Sequence, residues 1–172
     1  SFAKDLSEIR SLGFRGEALS SIIAVAEVEM STRYKDEEIG SRIDFQNGKM
    51  VSQSVAAWDR GSQIVVSDLF SDVPARQKYL KKDDEEERVI RETVECLALS
   101  HPEIGFTYEN GKKKVFQTPG SGDLLAAASA VFGKSIARSF HPFESDNAPM
   151  KITGLIGDLE LRRTHRGFQR FF

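Results

Sequence analysis

The dipeptide Asn47-Gly48 constrains this chain more than any other feature. Both residues tolerate the positive backbone φ that a type I′ turn requires at its two central positions. The flanking segments, Arg42 to Gln46 and Lys49 to Val55, are thereby committed to an antiparallel hairpin. More strands surround it. From Ala26 to Arg33, Val28, Met30 and Thr32 alternate with Glu27, Glu29 and Ser31, the pattern of a half-buried strand. Gly61 to Leu69, carrying Ile64, Val65 and Val66, reads as another. Later, Ile104, Phe106 and Tyr108 alternate and Asn110-Gly111 turns the chain into Lys112 to Gln117, a second hairpin. Lys151 to Asp158 and Gly167 to Phe172 read as strands too.

Helical signals fall between these strands. Glu17 to Ile22 is helix-prone. Pro74 suits a helical first turn, which predicts a helix from Pro74 to Lys82. Asp83 to Ser100 puts its acids first, where the helix dipole is positive, and then Ile90, Val94 and Leu97 at helical spacing. His101-Pro102 closes that helix, and Gly120-Ser121-Gly122-Asp123 opens another from Leu124 to Phe132, ended by Gly133. The order of strands, helix, strands, helix, strands is that of an α+β layered fold. The weakest join lies around Ala57 to Gly61, which divides the chain into residues 1–57 and 58–172.

Composition excludes several classes. The chain has 172 residues, 24 basic against 26 acidic, so it is not a uniformly basic nucleic-acid binder, although a local basic face is allowed. Its longest apolar runs, 22–26 and 124–128, fall far short of the roughly 18 residues of a membrane helix. The lone Cys96 makes no internal disulfide and excludes multi-cysteine metal sites, which favours a reducing compartment. With no initiating methionine and no stop signal after Arg170-Phe171-Phe172, the chain is expected to be an internal piece of a longer protein.

The stretch from Ser11 to Ile22 carries the chemistry. Gly13 and Gly16, three apart and just before a helix, let the backbone turn tightly and approach an anion. The helix start adds unpaired N–H groups, and Arg15 adds a cation. An ordinary turn uses the same glycines, and Glu17 in the first turn competes with a bound anion.

Gly13-Phe14-Arg15-Gly16-Glu17-Ala18-Leu19-Ser20-Ser21-Ile22 resembles the third ATP-binding motif of the MutL family of DNA mismatch repair proteins, within the wider GHKL group of ATPases. A second stretch, Asp68-Leu69-Phe70-Ser71-Asp72-Val73-Pro74-Ala75-Arg76-Gln77-Lys78-Tyr79-Leu80, resembles that family's other signature, Leu-Phe-x-Asn-x-Pro-Ala-Arg-x-Lys-Phe-Leu. It departs from the pattern with Asp72 for asparagine and Tyr79 for phenylalanine. The two signatures stand in the family's order and at about its spacing.

The resemblance implies that residues 1–57 are the end of a GHKL ATPase sandwich, starting in the ATP lid. Residues 58–172 would form a second, transducer-like subdomain built like a ribosomal-protein α+β module. It implies that backbone groups of Arg15, Gly16, Glu17, Ala18 and Leu19, with Gly13 shaping the turn, meet the triphosphate. Ser62 stands in the place of the threonine of a further motif, where its hydroxyl is retained. The family's general-base glutamate, magnesium-binding asparagine and adenine-reading Asp-x-Gly motif come earlier, and its phosphate-reaching lysine comes later. No catalytic residue and no metal ligand is therefore expected here. The implied activity is an ATP-gated dimerising clamp on DNA, with ATP and magnesium as cofactors. Its partners would be a second MutL-type subunit and a mismatch-recognition protein of the MutS type. The compartment would be the cytoplasm and nucleoid of a prokaryote or the nucleus of a eukaryote.

The remaining candidates are bland. His101, His141 and His165 lack ligand spacing, and Cys96 reads as a packed small apolar residue. Lys112-Lys113-Lys114 is a solvated run, and Phe168, Phe171 and Phe172 read as core strand. Near the C-terminus Arg162, Arg163, Arg166 and Arg170 stand against one acid, Glu160, and could meet a phosphate backbone. Two other readings compete: a different GHKL ATPase, of the type II topoisomerase or chaperone kind, and a non-enzymatic nucleic-acid-binding module.

Overall fold

A computed structural model describes residues 17–147, 150–162 and 168–172. The chain divides into two compact units, between Leu80 and Lys81.

The first unit opens with helix α1 (Ala18–Ile23) and continues into strands β1 (Glu27–Arg33), β2 (Gly40–Gln46), β3 (Lys49–Ala56) and β4 (Gly61–Ser67). All pair antiparallel, in the order β3-β2-β1-β4. The expected turn forms, with Asn47 at φ 50° and Gly48 at φ 73°. Val28 is buried on one face of β1 and Ser31 on the other. On the polar face Arg42 bridges Glu29 at 2.6 Å and Asp44 at 3.2 Å. The Ser52 hydroxyl, and then Arg42, hold the Asp44 carboxyl below the usual carboxylate range.

The division corrects the expected boundary at 57/58. The register from Glu27↔Ser67 to Arg33↔Gly61 makes β4 a member of the first sheet, so the chain cannot part before it. Helix α2 (Pro74–Gln77) follows β4 and is shorter than the expected Pro74 to Lys82. The next helix explains this. Lys82 must be extended, at φ −65° and ψ 149°, to cap it, and the Lys81 N–H donates to Glu86 Oε1 at 2.9 Å.

The second unit contains helix α3 (Asp83–Ser100), the hairpin β5 (Thr107–Asn110) and β6 (Lys113–Gln117), and helices α4 (Leu124–Phe132) and α5 (Lys134–Ala137). The hairpin β7 (Phe140–Asn147) and β8 (Met150–Gly157) then leads to a 3₁₀ turn at Leu159–Leu161. Its core joins Ala98 and Leu99 of α3, Phe116 of β6, and Ala127, Ala128 and Val131 of α4. Alanines at the contact bring the helices close, and Asp123 caps α4 by accepting from the Leu125 N–H at 2.8 Å. The expected strand from Gly167 to Phe172 is absent over its described residues 168–172, which pair with nothing in a ladder.

Gly120 locks the link between β6 and α4. Its φ is +67°, and a Cβ there would lie 2.6 Å from the Gly105 backbone nitrogen. Gly120→Ala is expected to cost on the order of 2–3 kcal/mol through strain and collision. Urea unfolding should show a lower midpoint at unchanged m-value.

Candidate functional site

The residues expected at the nucleotide fall on two elements of the first unit. Glu17 is the N-cap of α1, and its carbonyl accepts from the Ser21 N–H and the Ser20 hydroxyl, both at 2.9 Å. Among the described residues no side chain caps this end, and Ala18 and Leu19 form the first turn. Gly13, Arg15 and Gly16 lie outside the described residues.

Ser62 sits on β4 directly opposite Thr32 of β1. Their hydroxyls are 2.6 Å apart, and Thr32 Oγ1 also lies 3.3 Å from the Gly61 carbonyl. This arrangement makes Ser62 adaptable. If Thr32 donates to Gly61, Ser62 donates to Thr32 and keeps free lone pairs. If Thr32 donates to Ser62, the serine hydrogen is released toward an external acceptor.

Gly61 and Ser62 line one side of an open groove of about 850 Å³, with Arg33, Trp58, Asp59 and Arg60 around the rest. Arg33 shapes its floor by donating to the carbonyls of Trp58 at 2.6 Å and Glu37 at 2.8 Å. The lining combines the Trp58 ring, the Ser62 hydroxyl and the cations Arg33 and Arg60 with two acids, Glu38 and Asp59. Sequence reasoning missed Thr32 and Trp58. Thr32 was readable only as a same-face neighbour of Met30, and nothing local marks the cross-strand pairing.

A smaller hollow of about 330 Å³ lies in the second unit, beside Asp123, Phe143, Glu144 and Thr153. Its acids are already used, Asp123 as the cap of α4 and Glu144 in a 2.7 Å bridge to Lys151. Among the described residues no group of three or more His, Cys, Asp or Glu gathers as a metal site.

The expected basic cluster does not act as one group. Arg162 is exposed at the end of the 3₁₀ turn, and Arg163 and Arg166 lie outside the described residues, as does His165. Arg170 is withdrawn from solvent, which corrects its expected role. Its Nη2 is 2.8 Å from Glu95 Oε2, and these side chains are only 14% and 8% exposed. Its guanidinium also lies 5.6 Å from the Phe132 ring centroid. Glu95 takes a second cation, Arg91, at 2.9 Å.

The terminal phenylalanines also depart from the expected core strand. Phe168 packs at 5.2 Å from Phe132 but stays 42% exposed, while Phe171 and Phe172 are exposed. His101 caps α3 and pairs with Glu103 at 3.1 Å, and Cys96 is half-buried.

No protein-family model matches the chain. Solved structures do. The ATPase domain of Aquifex aeolicus MutL complexed with ADP is 26% identical with a TM-score of 0.69, over 83% of this chain and 55% of that one. The N-terminal domain of a DNA repair protein has a TM-score of 0.70 at 22% identity, over 86% of this chain and 49% of that one. The fold is thus the mixed helix-and-sheet architecture of the MutL-type GHKL ATPase domain.

Among curated proteins, the DNA mismatch repair proteins MutL of Symbiobacterium thermophilum and Lactobacillus helveticus are each 41% identical, over 99% and 95% of this chain. The chain belongs to the MutL family. It spans about a quarter of the length of these relatives, 27% and 26%.

Glu95 is the buried anion on which two arginines depend. Glu95→Ala leaves Arg170 without its counter-charge and is expected to cost about 3 kcal/mol, as breaking a buried pair from one side does. A lowered melting temperature, with faster proteolysis near Arg170, is the expected result.

Proposed function

We propose that this chain supplies the lid side and one wall of the nucleotide pocket in a MutL-type mismatch repair ATPase. ATP binding orders the lid around Gly13 to Gly16 and drives two such regions together as a clamp on DNA. The closed dimer passes the signal of a MutS-type recognition protein to a nuclease or helicase. The observation that carries this reading is the family relationship over nearly the whole chain, which includes a neighbour crystallised with ADP.

Roles follow from the chemistry. Backbone N–H groups of Arg15, Gly16, Glu17, Ala18 and Leu19 take the triphosphate at the start of α1, where the unpaired N–H groups and the helix dipole favour an anion. Ser62, paired with Thr32, offers a hydroxyl from the wall. Magnesium, when bound, would supply charge neutralisation for the nucleotide. Its ligand and the general base belong to the family's earlier helix, so these residues bind and orient the nucleotide and do not cleave it. The second unit carries the DNA-facing role, through Arg162 with Arg163 and Arg166. Arg170 serves that unit's own packing.

Two measurements test this in the full-length protein. Gly16→Val puts a branched side chain where the backbone must approach a phosphate, so dimerisation with a non-hydrolysable ATP analogue should weaken in sedimentation. Unchanged dimerisation at an unchanged melting temperature would make the loop an ordinary turn. Arg162→Glu should lower DNA affinity and flatten its log–log salt dependence by roughly 0.7–0.9 per lost phosphate contact, with ATP binding retained. An unchanged slope in the folded variant removes Arg162 from the DNA surface.

A further inference from the structure

The second signature, Asp68 to Leu80, carries no ligand role in this reading, yet it holds unusual backbone geometry. Asp68 and Phe70 have φ of +51° and +63°. Left-handed backbone is costly for any residue with a Cβ and rare for a bulky aromatic, so it persists only where the surroundings enforce it.

Four features enforce it here. The β1–β4 ladder ends at Glu27↔Ser67, which brings the residues just before β1 beside those just after β4. The Phe70 N–H then donates to the Val25 carbonyl at 2.7 Å. From α2, the Arg76 guanidinium lies 5.9 Å from the Phe70 ring centroid, a cation over an aromatic face. The loop closes on itself through Ser71 N–H to Asp68 O and Val73 N–H to Phe70 O, both at 3.0 Å.

Val25 marks where α1 leaves its last turn, since its own N–H donates to Ile22 O at 3.0 Å. The strained loop therefore grips the exit of the helix that follows the Gly13 to Gly16 motif in sequence. We propose that the loop Asp68–Val73 is a latch that fixes the exit of α1, with Phe70 as its positioning residue. The second signature then serves the first mechanically, by setting where α1 sits. Its effect on nucleotide affinity rests on the proposed function above, and its effect on α1 does not.

The test uses the full-length protein with Phe70→Gly, which accepts the positive φ but loses the ring, and Phe70→Tyr, which keeps the ring. Amide hydrogen exchange over residues 18–26 is compared with residues 41–55 as internal reference, beside affinity for a non-hydrolysable ATP analogue. Phe70→Gly should speed exchange over 18–26 and weaken analogue binding, each about tenfold, the size of an ordinary coupling between sites. Residues 41–55 should stay unchanged, and Phe70→Tyr should match wild type. Unchanged exchange over 18–26 in Phe70→Gly, or equal acceleration in both regions, overturns the latch. A wild type that does not bind the analogue overturns the nucleotide reading, and the exchange result still decides the latch. If Phe70→Gly does not fold, Arg76→Gln, which removes only the cation over the ring, is judged by the same exchange criterion.

Discussion

The pairing of β1 with β4 is the constraint on which the first unit depends. The two strands are separated in sequence by the β2–β3 hairpin and meet only because β1 is paired on both of its edges. That single register has two consequences at opposite ends. At Arg33↔Gly61 and Thr32↔Ser62 it builds the wall of the groove and the hydroxyl pair. At Glu27↔Ser67 it delivers the second signature to the exit of α1. A slip of one residue would turn Ser62 to the other face and separate Phe70 from Val25, because side-chain direction in a strand has a period of two.

In the second unit Glu95 has the comparable role. It lies on the buried side of α3, in the same turn region as Ala98 and Leu99, which pack on α4. A buried carboxylate costs free energy unless its charge is answered. Arg91 answers it from one turn earlier on α3, and Arg170 from the far end of the chain. Arg170 also sets its guanidinium over the Phe132 ring of α4, 5.6 Å from its centroid. One charged group thus ties the last residues to both long helices, where a strand ladder was expected.

Local signals were legible and non-local ones were not. Helices α3 and α4 could be read to the residue, because acids, apolar spacing and caps lie within the segments themselves. The Asn47-Gly48 turn was legible for the same reason. Strand β7 was missed, since Pro142 and the polar run Glu144 to Asn147 hide it, and only its pairing with β8 makes it a strand. The unit boundary was misplaced because β4 looks like a free strand until β1 claims it. Arg170 read as a DNA contact because its partner is 75 residues away. Of the candidate site, the Gly13 to Leu19 stretch and Ser62 are named by the family motifs alone. Thr32 and Trp58 are not in those motifs, because Thr32 reaches Ser62 only through strand register and Trp58 joins the groove from a loop.

The departures from the family's motifs fall where the structure can absorb them. Tyr79 replaces phenylalanine at a position 86% exposed, so its hydroxyl meets water and needs no partner. Asp72 replaces asparagine on an exposed part of the loop, where a carboxylate keeps its hydration. Ser62, for threonine, loses a methyl on an exposed strand and keeps the hydroxyl bonded to Thr32. Among the signature residues that match, Phe70, Pro74 and Arg76 have a geometric task. Phe70 bears the left-handed φ and the bond to Val25, Pro74 starts α2, and Arg76 projects from α2 onto the Phe70 ring. The signature is thus a compact mechanical unit, with variation allowed on its solvent side and the grip on α1 retained on the other.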